Sequence, residues 1–346
     1  MPDTTIPESP PETFVSVVIP ARNEAGNIVA CVGSILQQEY PADLFEVIIV
    51  DDHSDDATWE QIGQFADDRI KAIRADNQSF GKKKALEAGI GIAKGALIVT
   101  TDADCTAPPK WLATIVAVYE SRQSAIIASP VIFQPGQRAI EHFQCLDFVG
   151  TMVLTGVGIR HRWFYLGNGA NLAFPKSIFE ALNGYSDIDH IASGDDLLFI
   201  HKVAHHYPSR IHFNKSLAAT VSTQPQQSLR SLFWQRIRWA GKSGAYTDRP
   251  LQLILLMVFS VNAFVLLAPL ALLFTPSHLW LPYAGILGLK VLADLVLLET
   301  GMRYFQQTPL RRFFLIAQLY HLVYVAAIGP LSLVLKKYPW KGRKVQ

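Results

Sequence analysis

The first 130 residues alternate between short apolar runs and amphipathic stretches. Phe14–Pro20 (Phe-Val-Ser-Val-Val-Ile-Pro) is rich in β-branched residues and predicts a strand. Asn27–Gln38 carries Ile28, Val32, Ile35 and Leu36 at helical spacing. A second strand follows at Phe45–Val50, a helix near Ala57–Phe65, a short strand at Arg69–Arg74, a helix at Lys82–Ala93 and a strand at Ala96–Thr101. This alternation predicts an α/β domain, a mostly parallel sheet with helices on both faces. A helix at about Pro108–Tyr119 and a strand at Ala125–Phe133 extend it, after which regularity weakens through Arg138–Arg162.

The second pattern begins at Ser228. In Ser228–Tyr246, Leu229, Leu232, Phe233, Ile237 and Ala240 are interleaved with Arg230, Arg236, Arg238 and Lys242, a basic amphipathic helix suited to a membrane surface. Three apolar segments come next. Residues 251–275 and 313–335 are free of charge, and 279–298 is interrupted by Lys290 and Asp294. About 20 apolar residues span a bilayer core, so these predict about three transmembrane segments. Lys290 and Asp294, four residues apart, share a helical face on which they neutralise each other. Arg303, Arg311 and Arg312 suit a cytoplasmic loop after two crossings, whereas a third crossing would put Lys336–Lys344 outside, against the positive-inside tendency. The order of charges leaves that topology open.

Charge sharpens the division. Residues 251–346 hold nine Lys/Arg and two acids, so the first 250 hold 22 of the 31 basic and 27 of the 29 acidic residues. A mildly acidic domain followed by a basic apolar one lacks the broad basic patch of a nucleic-acid binder. Cys31, Cys105 and Cys145 form neither a disulfide framework nor a zinc pattern. Residues 1–13 are rich in Pro and acids and predict a disordered lead-in without a signal peptide.

Candidate chemistry collects where apolar runs stop. The run ending at Thr101 is followed by Asp102-Ala-Asp104, and the one ending at Val50 by Asp51-Asp52. Right-handed crossovers put both strand ends on one sheet edge, where open α/β sheets bind ligands. Paired carboxylates suit a hard divalent cation shared with phosphates. Asp51-Asp52 also fits a turn or helix cap, and Lys82 at the head of Lys82-Lys83-Lys84 a solvated helix start. Further along stand Asn168-Gly169-Ala170-Asn171, equally readable as a plain turn, and Gly194-Asp195-Asp196, which could be a helix N-cap. His53, His142, His161, His190 and the His205-His206 pair show no metal spacing and read as structural or surface residues.

With Val18-Ile-Pro20-Ala21-Arg-Asn-Glu24 and Gly81-Lys82-x-x-Ala85-Leu86, the ordered set Asp51-Asp52, Asp102-x-Asp104, Asp195-Asp196 and Gln235-x-x-Arg238-Trp239 resembles family 2 glycosyltransferases of the GT-A fold. The likeness is nearest to the membrane-bound members and covers about residues 14–245. It implies a GT-A catalytic domain over 14–227, an interfacial helix over 228–250, membrane segments at 251–275, 279–298 and 313–335, and a basic tail over 336–346. The resemblance assigns Pro20, Ala21, Glu24, Asp51, Asp52, Lys82 and Asp102 to the nucleotide donor, and Asp104 with Asp102 to Mg²⁺ or Mn²⁺. Asp196 becomes the base, with Asp195 beside it; the family often has Glu at the first of these positions, a mild departure. Asn168, Gly169, Asn171, Gln235, Arg238 and Trp239 are assigned to the acceptor or product.

The implied reaction is inverting transfer from a nucleoside-diphosphate sugar, a UDP-sugar first and GDP-mannose second. The implied acceptor is a lipid or lipid-linked glycan at the cytoplasmic membrane face. A processive polysaccharide synthase and a non-catalytic nucleotide-sugar-binding subunit are the alternatives. Three segments are few for an extrusion channel, and the acidic positions are intact.

Overall fold

In the computed structural model, which describes residues 11–76, 80–188, 194–335 and 337–345, apolar runs become the strands of one sheet. In chain order these are β1 (Val15–Ala21), α1 (Ile28–Leu36), β2 (Phe45–Asp51), α2 (Thr58–Ile62), β3 (Ile70–Arg74), α3 (Lys82–Ile92) and β4 (Leu97–Thr100). They continue as α4 (Trp111–Arg122), β5 (Ile126–Ala128), β6 (Val131–Phe133), α5 (Ala139–His161), β7 (Leu172–Pro175), α6 (Lys176–Ala181), α7 (Asp195–His206), β8 (Ile211–Phe213) and β9 (Val221–Thr223). Most of the lead-in, residues 1–10, lies outside the described residues, as do His190 and, of the expected tail, Lys336 and Gln346.

The seven-stranded sheet has the order β3-β2-β1-β4-β7-β5-β8. Strands β1 to β4 run parallel, while β7 is antiparallel to β4 and β5. The central strands β1, β2 and β4 are almost wholly buried, which explains their continuous rather than alternating apolar pattern. Thr100 pairs with Leu172, so the loop entering β7 stands on the edge where β1, β2 and β4 end. Reversing one strand thereby adds residues 167–171 to the edge where the parallel strands end.

Two expectations needed correction. The strand anticipated over Ala125–Phe133 is broken: β5 joins the main sheet, whereas β6 pairs with β9 in a separate two-stranded sheet. Pro130, which has no N–H to give a ladder, stands at the break. The irregular reading of Arg138–Arg162 is replaced by the 23-residue α5. Its apolar residues lie on all sides and two-thirds of its most apolar stretch is buried, so it has no amphipathic stripe to read.

Chain packing divides into two compact units. The first comprises residues 1–132, 155–224 and 340–343, and the second 133–154, 225–339 and 344–346. Residues 133–154 of this division, which include part of α5, fall in the second unit, and residues 340–343 in the first. In the second unit, α8 (Leu229–Gly241) precedes three long helices, α9 (Arg249–Leu272), α10 (Trp280–Tyr304) and α11 (Phe314–Val334). With α5, these three are long and apolar enough to cross a membrane. Helices α9, α10 and α11 present large apolar side chains outward: Leu270 is 63% exposed, Leu281 79% and Leu315 74%. Water does not favour that arrangement, whereas lipid does. Lys290 meets Asp294 at 2.7 Å, as their spacing predicts, and also contacts Gln318. Beyond α11 come two three-residue strands, β10 (Tyr338–Trp340) and β11 (Arg343–Val345), paired with each other.

Candidate active site

The carboxyl ends of β1, β2 and β4 bring together the acids that sequence separates. Asp51 closes β2, is 2% exposed, and accepts long hydrogen bonds from the Ser54 N–H at 3.3 and 3.4 Å. The neighbouring Asp52 N–H donates to the Ala21 carbonyl at 2.7 Å, tying the ends of β1 and β2 together. Asp52 Oδ2 accepts the Gly81 N–H at 3.1 Å, and Oδ1 lies 3.2 Å from His53 Nδ1. Arg343 Nη1 reaches both Asp52 oxygens, at 3.1 and 3.0 Å. Glu24, 8% exposed, donates its backbone N–H to Thr58 Oγ1 at 2.8 Å, while its carboxylate accepts from Asn27 Nδ2 at 2.8 Å and pairs with Lys341. Pro20 stands in register with Val50, one residue before these contacts.

Lys82 links the two acidic motifs. It opens α3 just after Gly81, whose φ of +97° lies in the region glycine tolerates. Its Nζ stands 2.6 Å from Asp102 Oδ1 and 3.6 Å from Asp195 Oδ2. Burial alone would weaken proton binding by Lys82, but Asp102, Asp195 and Asp196 raise its pKa above the ordinary lysine value. It is therefore a fixed positive charge, and of the two readings the solvated helix start is set aside.

Asp104 contrasts with its neighbour. Its side chain is exposed at the crevice, yet displacement of water by surrounding protein, together with Asp102 and Glu24, holds its carboxyl above the usual range. Lys341 and a bond from Cys105 act in the opposite direction. A carboxylate that is crowded by like charge and whose neighbour Asp102 is already taken by Lys82 suits a direct ligand to a divalent cation. Beneath the pair, Cys31 and Cys105 are buried, and burial first, then Asp104 and Asp102, push both thiols up. They are therefore neutral packing groups.

The second acidic motif begins α7. Gly194 precedes it at φ +86°, and Asp195 is buried while Asp196 is partly open. Asp196 Oδ2 accepts the Gly169 N–H at 3.0 Å and Oδ1 the Leu197 N–H at 2.7 Å. A Cβ on Gly169 would stand 3.2 Å from both Asp195 Oδ2 and Lys82 Nζ, so the close approach of the loop leaves little room for any other residue. Thr100 Oγ1 fixes the same loop by donating to the Gly169 carbonyl at 2.8 Å. Asn168 Oδ1 caps the short turn by accepting from the Ala170 N–H.

Asn171 does not share this role. It is fully buried, accepts from Trp111 Nε1 at 2.9 Å, and donates to the Pro130 and Ala219 carbonyls at 2.7 Å each. Its amide is spent inside the fold, so the acceptor assignment made for it is corrected to a structural one.

Gln235, Arg238 and Trp239 belong to the helical unit. In α8 the buried arginine is instead Arg236, 3% exposed, which is bonded to Asp147 at 2.8 Å and lies 4.6 Å from the Trp239 ring and 5.1 Å from that of Tyr324. Trp239 also packs near Phe148. Within this unit Trp239 supports a buried ion pair.

Sequence reasoning missed four groups at the crevice. Arg22 Nη1 donates to the carbonyls of Asp52 and His53, Nη2 meets Asp55 at 3.0 Å, and Nε donates to the Lys341 carbonyl at 3.1 Å. Phe80, 56% exposed, packs against His53 in a tilted arrangement with ring centres 4.5 Å apart and lies 4.9 Å from the Arg343 guanidinium. An apolar ring directly before Gly81-Lys82 was the available signal. Lys341 and Arg343 were read only as tail charge.

The sheet order and the acids gathered on its carboxyl edge, with Lys82 between them, thus form one candidate site. The chain belongs to glycosyltransferase family 2. The family described as "Glycosyl transferase family 2" matches residues 16–172, and "Glycosyl transferase family group 2" matches residues 97–328. Among curated relatives, the probable glycosyltransferase YdaM of Bacillus subtilis is 27% identical over 65% of this chain and 54% of its own length. Glycosyltransferase AglE of Haloferax volcanii is 29% identical over 53% of this chain and 59% of its own. The chain thus matches between half and three-fifths of the length of these relatives. A solved structure, mannosyltransferase PcManGT from Pyrobaculum calidifontis in complex with GDP-Man and Mn²⁺, superposes over 95% of this chain and 89% of that one. Its TM-score is 0.55 at 21% identity, a likeness of fold.

Proposed function

We propose that the chain transfers a sugar, with inversion, from a nucleoside-diphosphate sugar to a lipid or lipid-linked acceptor at the cytoplasmic face of a membrane. The observation that carries this reading is the Asp102–Lys82–Asp195 bridge, which unites the two acidic motifs beside the exposed Asp104. Asp196 takes the proton of the acceptor hydroxyl, whose oxygen then attacks the anomeric carbon as the bond to the diphosphate oxygen breaks. One displacement inverts that carbon, and no covalent enzyme intermediate forms. The Gly169 N–H orients Asp196, while Lys82 offers a fixed charge to the diphosphate. Mg²⁺ or Mn²⁺ at Asp104, with Asp102 adjacent, would offset negative charge on the departing nucleoside diphosphate.

The outward apolar faces of α9, α10 and α11 support a membrane-embedded protein. Nucleotide sugars are cytosolic, so the catalytic unit is assigned to that side. Two relatives' names are consistent with a lipid acceptor. A beta-monoglucosyldiacylglycerol synthase of Trichormus variabilis is 31% identical over 31% of this chain. The undecaprenyl-phosphate 4-deoxy-4-formamido-L-arabinose transferase of Yersinia pestis is 35% identical over a similar share. The test is release of UDP or GDP from a panel of UDP-sugars and GDP-mannose by the detergent-solubilised chain, with a lipid extract as acceptor. Metal-dependent transfer of one sugar to an organic-extractable product is expected. Transfer undiminished in chelator would contradict the metal assignment, and a growing polymer would replace this reading with a processive synthase.

A further inference from the structure

We propose that residues 340–343 are a working part of the donor site, with Lys341 binding the donor diphosphate and Arg343 positioning it. This rests on the nucleotide-sugar reading above. Residues 340–343 pack with the catalytic unit although α11 ends only at Val334. Lys341 and Gly342, between β10 and β11, have φ values of +44° and +81°. Positive φ at both central residues is the geometry of a two-residue hairpin turn, where Asn-Gly is the favoured pair. Lysine in the first of these positions is conformationally costly, and what it achieves is a cation at the tip.

The tip is held from three sides. Arg22 Nε donates to the Lys341 carbonyl at 3.1 Å, and Arg343 binds both oxygens of the buried Asp52. Phe80 lies 4.9 Å from the Arg343 guanidinium, within reach of a cation–π contact. So fixed, the Lys341 ammonium pairs with Glu24, on the carboxyl edge that also carries Asp102 and Asp104.

Charge makes the case for a donor-binding role. Glu24, Asp51, Asp52, Asp102, Asp104, Asp195 and Asp196 line this edge, and the sheet domain itself sets Lys82 and Arg22 among them. An anionic diphosphate entering such a crevice meets net repulsion, even with one divalent cation. Lys341 and Arg343 reduce that excess beside Glu24 and Asp52, and Lys341 can exchange Glu24 for a phosphate oxygen without moving its backbone.

The experiment measures binding of UDP and of GDP, each with Mn²⁺, by calorimetry on the full chain in detergent. Turnover of the accepted sugar donor is followed in parallel. Lys341→Ala should weaken nucleotide binding and raise donor KM by about 10- to 100-fold, the loss of one charge-assisted bond, with acceptor KM unchanged. Lys341→Arg should restore most of it. Arg343→Ala should weaken binding by several-fold, because it loosens the tip without removing the charge that contacts phosphate, and Arg343→Lys should recover part. Unchanged melting temperatures would show that neither loss reflects unfolding. Tighter nucleotide binding by Lys341→Ala would overturn the proposal in favour of a plug that competes with donor. Unaltered binding would overturn it in favour of a structural hairpin. If the wild type binds neither nucleotide, the donor reading itself falls, and this proposal with it.

Discussion

The two edges of the one sheet use carboxylates in opposite ways. At the amino edge, Glu46 accepts from Ser16 Oγ at 2.7 Å and from the Lys94 N–H at 2.6 Å, and pairs with Lys71 at 2.6 Å. Gly95 closes the group, since a Cβ there would stand 2.5 Å from the Ser16 nitrogen. Burial tends to raise the Glu46 pKa, but the Lys71, Lys94 and Ser16 bonds outweigh it and hold the carboxyl below the ordinary range. At the carboxyl edge, displacement of water by the surrounding protein and like charge hold Asp104 above that range. A carboxylate with its partners supplied by the fold is structural. One left crowded by its own kind is held for a ligand.

The largest expected effect breaks the carboxyl edge alone. Asp104→Asn should lower transfer by about 10³-fold or more, the loss of several kcal/mol of charge stabilisation, while leaving the melting temperature unchanged or raised because a repulsive charge is gone. Loss of both activity and stability would make Asp104 a second Glu46. Next, Asp196→Asn should reduce kcat by about 10²–10⁴-fold with nucleotide affinity retained. A far larger loss from Asp195→Asn would exchange the two roles.

A similar contrast exists in the helical unit, where Asp147 is matched to Arg236. Arg236→Met leaves the largely buried Asp147 carboxylate with only His321, at 3.9 Å, and should destabilise the chain by about 3–5 kcal/mol, read by thermal unfolding in detergent. The double variant with Asp147→Leu should recover much of that loss. Glu46→Gln is the smallest, about 1–3 kcal/mol, with donor KM unaltered. Because the folded-state pKa of Glu46 is depressed, its contribution is present above the unfolded value near 4.3 and lost as pH falls below that value. The difference between wild type and Glu46→Gln should therefore shrink on acidification from pH 6 to pH 3. A constant difference would remove the ion pair from the account of that edge.

What the residues revealed in advance depended on how local the cause was. β-Branched runs ending in Asp announced β2 and β4 and the acids beyond them, because burial on both faces demands an unbroken apolar string. The same physics hid α5, whose apolar residues surround it and leave no period to count. Asn171 looked like a loop ligand because an amide can serve either a ligand or a buried carbonyl, and only the neighbours Trp111, Pro130 and Ala219 decide. Lys341 was least legible: its partner Glu24 is 317 residues away, and its charge alone fitted a membrane-flanking tail.

The claim that these edge acids form a nucleotide site is tested most directly by titrating UDP and GDP into the full-length protein with Mn²⁺, with chelator, and with Asp104→Asn. The account predicts that one nucleotide binds saturably to the wild type with Mn²⁺, and that chelator and Asp104→Asn each abolish that binding. Equal affinity in all three conditions would contradict it.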